Sequence, residues 1–312
     1  MSQLALFEGS HVPRTAARQA LERGELGEAL ARLGRVDAED EAADAARLEQ
    51  IASALHETDE DPAALHGAFA AALGAGQRRG FLSDTEWFGL YARRVARALD
   101  AEPERRFRGW LGAHFAFAAA DVETSWRAVS RIVASVRPGA EWIEAARLAF
   151  QLGDAAIAAR WVHAACLDSP VALASQPPPL EPCGISALDA APELPVLPAP
   201  VEDLFETARS LGDVPGPPTR WVAAIGEIDR VLPPPDPLEA APSEPSSESS
   251  ESEDPVRAFL TALRAARRSR ERDGSRPAGR CSDRELRARR HMQRLAPALL
   301  ERYLRTLSGS ML

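Results

Sequence analysis

The chain of 312 residues contains no lysine and no asparagine, two tyrosines, three methionines and three cysteines. Each scarcity removes a reading. Cys166, Cys183 and Cys281 are far apart and form no CxxC pair, so neither a disulfide framework nor a zinc site is indicated, and no metal or other cofactor is expected. Walker A, GxGxxG, HExxH and nucleophile-elbow patterns are all missing. The six histidines, His11, His56, His66, His114, His163 and His291, show no paired metal-ligand spacing. No catalytic constellation can be assembled from these residues, and the expectation is a protein that is not an enzyme. No run of about eighteen apolar residues occurs, so no membrane span is expected. No charged-then-apolar leader opens the chain, and a reduced cytoplasm is the expected compartment.

With lysine absent, all 37 cations are arginine, which fits a GC-rich coding sequence and says little about function. The net charge of −9 argues against non-specific nucleic-acid binding by the molecule as a whole. Its distribution says more. Residues 256–312 hold fifteen arginines against five carboxylates, so the preceding part is strongly acidic. An apolar fraction of 45% suffices for the core of one large domain or two ordinary ones.

The clearest stretch is 139–170. Trp142, Ala145, Ala146, Ala149 and Phe150 recur at three- and four-residue spacing, as do Ile157, Ala158, Trp161, Val162 and Ala165, which is the period of one apolar helix face. Gly153 can take the positive φ that ends the first helix, and Asp154 suits the N-cap of the second. Alanines dominate the shared face, so the two helices can approach closely while Trp142 and Trp161 fill the remaining volume.

This hairpin resembles a tetratricopeptide repeat, whose pattern over 34 residues is W-x2-L-G-x2-Y, A-x3-F and a closing P. Trp142 takes the Trp position, Ala145 and Ala146 the Leu-Gly pair, Ala149 the Tyr, Ala158 and Val162 the A-x3-F pair, and Pro170 the Pro. The Leu, Gly, Tyr and Phe positions are substituted, and the match covers about a tenth of the chain. The grammar recurs. Asp121 precedes Asp154 by 33 residues, with Val129 and Ile132 aligned to Val162 and Ala165, and Ala29 and Leu33 follow Gly24 at the offsets at which Ala158 and Val162 follow Gly153. The resemblance implies an all-α fold, a right-handed α-solenoid of degenerate hairpins. It also implies a concave groove lined by the first helix of each hairpin, which places Ile143, Arg147, Phe150 and Gln151 on the face toward a peptide or protein partner.

Between these landmarks, helices are expected at 37–56, 63–73, 83–99, from Pro103 with Phe107, Trp110, Leu111, His114 and Phe115 on one face, and at 122–136. Ser83 with Glu86 reads as a capping box. A proline-rich connector, 175–200, is too apolar for a free linker, and one more helix pair follows at 201–211 and 219–231. These segments group as one repeat domain, 13–232. Residues 233–254 are Pro, Ser and Glu with almost nothing to bury and are expected to be disordered. The Arg-rich segment 255–312 reads as two helices, 255–272 and 282–307, the second with an apolar stripe of Met292, Leu295, Leu299, Leu300, Tyr303 and Leu304 that needs a partner surface.

The N-terminal peptide, 1–12, contains Gln3-Leu4-Ala5-Leu6-Phe7. This resembles the bacterial sliding-clamp-binding motif Q-L-[S/D]-L-F in four of five places. It implies Leu6 and Phe7 in an apolar pocket and Gln3 at its rim, with Leu4 completing the motif. The plainer reading packs Leu4, Leu6 and Phe7 back onto the first hairpin as an end cap. In the tail, Arg287, Arg289, Arg290 and Arg294 could face phosphates. A solvated face, or a tail docked on the acidic body or on the run 243–254, is the reading preferred here, because that acidic run would compete with phosphate at short range. His114 and His163, beside aromatic residues on predicted helices, read as hydrogen-bonded structural histidines.

The leading expectation is therefore a non-enzymatic, cytoplasmic bacterial scaffold that binds a protein or peptide partner. The alternative is a DNA-maintenance accessory recruited to the sliding clamp through Gln3, Leu4, Leu6 and Phe7, with the arginine-rich tail near nucleic acid.

Overall fold

The structure, a computed structural model, describes residues 16, 19–20, 26–33, 39–55, 61–74, 82–168, 178–212, 214–233, 254–272 and 281–309. Among the described residues it is an all-α protein apart from one two-stranded ribbon. Two compact units form, Met1–Ser135 with Pro177–Pro195, and Val136–Gln176 with Val196–Leu312. The boundary after Ser135 falls inside the stretch that composition groups as one repeat domain.

The first unit contains α1 (Leu26–Leu33), α2 (Glu39–Leu55), α3 (Pro62–Gly74), α4 (Asp84–Ala98), α5 (Gly112–Ala118) and α6 (Val122–Ser135), each packed on the next. Ser83 caps α4 as its spacing predicts. The Ser83 hydroxyl accepts from the Glu86 N–H, and the Glu86 carboxylate accepts the Ser83 N–H at 2.8 Å. The core between α3, α4 and α5 is aromatic. Phe69, Phe88, Trp110 and Phe115 all meet Tyr91 or one another edge-on at 5.4–6.3 Å between centroids.

The helix expected from Pro103 does not form there. β1 (Arg106–Phe107) pairs with β2 (Trp110–Leu111), and α5 begins only at Gly112. The two residues between the strands, Arg108 at φ 48° and Gly109 at φ 83°, are both left-handed, as a tight primed hairpin turn requires. The apolar spacing of 107–115 is ambiguous between a helix face and a ribbon, and the glycine in this turn decides it. Gly109 has a second constraint, since a Cβ there would lie 3.0 Å from the Pro179 carbonyl oxygen.

The described part of the proline-rich connector, from Pro178, packs on the first unit. The Trp110 indole donates to the Pro178 carbonyl at 2.9 Å, the Glu181 N–H donates to the Arg108 carbonyl at 2.9 Å, and a single turn of helix, α9 (Ser186–Asp189), buries Ala187 and Leu188 against α3 and α4.

The second unit holds α7 (Ala140–Gln151), α8 (Ala155–Asp168), α10 (Ala199–Arg209), a 3-10 turn (Pro218–Trp221), α11 (Val222–Asp229), α12 (Pro255–Arg272), α13 (Asp283–Leu295) and α14 (Pro297–Gly309). Its centre is α11, which packs on α8, α10, α12 and α14 and buries every residue from Val222 to Ile228. A helix that is apolar nearly all round has no solvent face, and VAAIGEID is such a sequence. The arginine-rich α12, α13 and α14 are thus part of this unit's core packing. The single helix expected over 282–307 is two. Pro297 lacks the N–H that would continue the ladder and forces Ala296 out of the helical region, to φ −155° and ψ 86°.

The turn between α7 and α8 matches its sequence reading, with Gly153 at φ 97° and the Asp154 carboxylate accepting the Ile157 N–H at 3.1 Å. The turn between α5 and α6 repeats it. Ala120 sits at φ 55°, Asp121 accepts the Thr124 N–H at 3.0 Å, and the Asp121 N–H returns to the Ala116 carbonyl as the Asp154 N–H returns to that of Ala149. The aligned residues Val129, Ile132, Val162 and Ala165 are all buried.

Candidate functional site

Two polar clusters, a cleft and one charged face are the candidate sites among the described residues. The first cluster is built where the β-hairpin turn meets α3, α4 and the proline-rich segment. The left-handed turn aims Arg108 at three acceptors: the Glu181 carbonyl at 2.8 Å, the Leu188 carbonyl at 3.0 Å and the Asp189 carboxylate. Asp189 also accepts the backbone N–H groups of Cys183 and Gly184 and the Cys183 thiol at 3.3 Å. Behind them the Tyr91 hydroxyl shares a hydrogen bond with His66 Nδ1 at 3.1 Å.

Cys, His, Tyr, Asp and Arg side by side suggest a reactive centre, but the electrostatics point the other way. Burial pushes the Cys183 thiol up, and the bond to Asp189 adds to it, so the thiolate is disfavoured. Burial and the Arg108 charge both lower His66, against a smaller opposing effect from Asp189, which keeps the ring neutral. Burial pushes Tyr91 up to about 12. Burial alone would raise Asp189, but the N–H donors of Cys183 and Gly184, the thiol and Arg108 hold it below the usual carboxylate range. The arrangement fastens residues 178–189 to the helices.

The second cluster surrounds Glu227, the one buried charged residue of α11. Its carboxylate meets His163 Nε2 at 2.8 Å and the Arg264 guanidinium, with Arg264 Nε at 3.1 Å, while Arg267 donates to the Glu227 carbonyl at 2.7 Å. Burial tends to raise this carboxyl, yet the bonds from His163 and Arg264 outweigh it and leave Glu227 below its ordinary value. His163 and Glu227 are each 1% exposed, so no substrate reaches this pair. Its role is to neutralise charge inside the unit. His114, also buried, accepts the Leu111 N–H at 3.1 Å. Both histidines are hydrogen-bonded in the core, as their setting in the sequence suggests.

A cleft of about 460 Å³ opens where α11, α12 and α14 end, lined by residues that include Asp229, Arg230, Arg267, Arg270 and Tyr303. Three helix C-termini converge there, each equivalent to roughly half a negative charge. The arginines compensate those carbonyls: Arg267 donates to the Glu227 and Ile228 carbonyls, and Arg302 neutralises Asp229 with bonds of 2.6–3.2 Å.

The charged face lies on α13. Ser282 caps the helix, Glu285, Ala288 and Met292 turn inward, and Arg284, Arg287, Arg290 and Arg294 are exposed. Arg289 is the exception among the four tail residues singled out in the sequence, since it turns inward to pair with buried Glu285. Arg284 replaces it on the exposed face, and only the register of α13 against its neighbours reveals that.

Of the four proposed groove residues, Ile143 and Arg147 are buried at 3% and 4%, Phe150 is half-buried and Gln151 is exposed. Burial lowers the Arg147 pKa, against the opposing charges of Glu144 and Glu202. A partner can touch Phe150 and Gln151 on this surface, whereas Ile143 and Arg147 belong to the packing. Gln3, Leu4, Leu6 and Phe7 lie outside the described residues, as does nearly all of 233–254. Among the described residues, no group of three or more His, Cys, Asp and Glu side chains could hold a metal ion, and no helix is long and apolar enough to cross a membrane. No protein-family model, curated protein or solved structure matches the chain.

Proposed function

We propose that the chain is a non-enzymatic protein–protein interaction scaffold built on tetratricopeptide-like helical hairpins. The observation that carries this reading is the recurrence, 33 residues apart, of one turn conformation at Ala120-Asp121 and Gly153-Asp154, with matching buried positions on the helices that follow. Such hairpins build a right-handed solenoid whose first helices offer side chains to a partner. The clusters around Asp189 and Glu227 support a binding role over a catalytic one, because both are taken up by the fold's own contacts.

Quantitative affinity capture with the full chain tests the reading. The comparison is wild type against a Phe150→Asp, Gln151→Arg variant whose circular dichroism and melting match wild type. Defined partners retained by wild type and lost by the variant support a scaffold that works through α7. Equal retention by both overturns the α7 surface, and capture of no protein by wild type overturns the scaffold reading.

A further inference from the structure

We propose that the exposed arginine face of α13 binds the phosphate backbone of duplex DNA. Arg284, Arg287, Arg290 and Arg294 lie at spacings of three, three and four, so they share one side of the helix, and ten residues at 1.5 Å per residue spread them over about 15 Å. Folding has sorted the tail's arginines. Arg257 pairs with Asp168, Arg264 with Glu227, Arg289 with Glu285 and Arg302 with Asp229. The four on the α13 face form no salt bridge with any carboxylate among the described residues, and Arg287 is held only by a 3.4 Å bond to the Asp283 carbonyl. Like charges three and four residues apart repel, each by a few tenths of a kcal/mol, and the one exposed carboxylate of α13 on this side, Asp283, leaves the face net positive.

The composition of the face selects the class of partner. A protein or peptide interface needs apolar or aromatic anchors at its centre, and charged residues are depleted there. Among the described residues beside these arginines, the only large apolar side chain well exposed is Leu286, at 39%. Single-stranded nucleic acid is bound through aromatic platforms, and none is exposed on α13. What remains is a row of guanidiniums suited to phosphates, on a helix that the B-form major groove, about 12 Å wide, accepts and the A-form groove does not. The chain's net charge of −9 does not prevent this contact, because charges more than about 8 Å away are screened at physiological salt. The inference is independent of the hairpin reading above.

The test is fluorescence anisotropy with the full chain and a 30-base-pair duplex of arbitrary sequence, across a salt series. Four phosphates neutralised give a slope of about −3.6 in log K against log salt. The variant Arg284→Gln, Arg287→Gln, Arg290→Gln, Arg294→Gln alters only exposed residues. It is expected to keep the wild-type urea midpoint and lose at least tenfold in affinity at low salt. A control, Arg127→Gln with Arg209→Gln, removes two exposed arginines elsewhere and is expected to bind as wild type. No retention of duplex by wild type at low salt overturns the proposal, as does equal binding by the α13 variant. Competition by poly-glutamate or single-stranded DNA as effective per charge as duplex assigns the face to another acidic partner and overturns it equally.

Discussion

Arg108 and Asp189, 81 positions apart in sequence, meet as an ion pair that fastens the proline-rich segment to the first unit. Arg108 is 8% exposed at its side chain and sits in the left-handed region, so one residue is both a strained turn and a three-way clamp. The two contributions separate by mutation. Arg108→Ala removes the bonds to Glu181, Leu188 and Asp189 and is expected to destabilise by about 2–4 kcal/mol in urea unfolding. Arg108→Gly loses the same bonds but suits the turn, and should unfold about 1 kcal/mol later than the alanine variant. Equal stability of the two variants would show that the turn stores no strain.

The two tyrosines make a spectroscopic test of both units. Burial pushes Tyr91 up to about 12, and burial likewise raises Tyr303, whose hydroxyl has no hydrogen-bond partner among the described residues. Because the folded values lie above the unfolded value of about 10, the stabilisation is fully present below pH 10 and is lost as pH rises through the folded values. Folded protein should therefore show no tyrosinate absorbance at pH 10, while the chain in concentrated urea shows both ionisations near that pH. A tyrosinate step near pH 10 with helicity unchanged would contradict the burial of that ring.

The helices and their caps were legible because they rest on local chemistry. Ser83 with Glu86 and Gly153 with Asp154 satisfy orphaned backbone groups of their own helices, Pro255 at the start of α12 has no N–H to leave orphaned, and neighbouring residues suffice to recognise all three. The ribbon at 106–111 was not legible in the same way, since its side-chain spacing serves either period and the choice falls to Arg108 and Gly109. Nor could any local pattern show which arginines would be free. Arg289 and Arg290 are neighbours in sequence, yet one turns toward Glu285 and the other toward solvent, and only the packing of α13 on α12 and α14 decides which.

Glu227 is a buried charge at the centre of the second unit. The carboxylate is 1% exposed, and it is ionised there because His163 and Arg264 bond to it. Its folded pKa is depressed below 4.5, so its contribution to stability is fully present above that pH and is lost as pH falls through the lower folded value. Glu227→Gln keeps the shape and removes the charge. At pH 7 it leaves Arg264 without its buried counter-charge, at a cost of about 3 kcal/mol. In acid the wild-type side chain is itself protonated, so the difference in unfolding free energy between the two proteins should shrink toward zero as pH falls below the ordinary carboxylate range. Denaturant titrations of both proteins between pH 7 and pH 3 measure that difference directly. A gap that stays constant across the series would mean that shape, not charge, is what Glu227 contributes to α11.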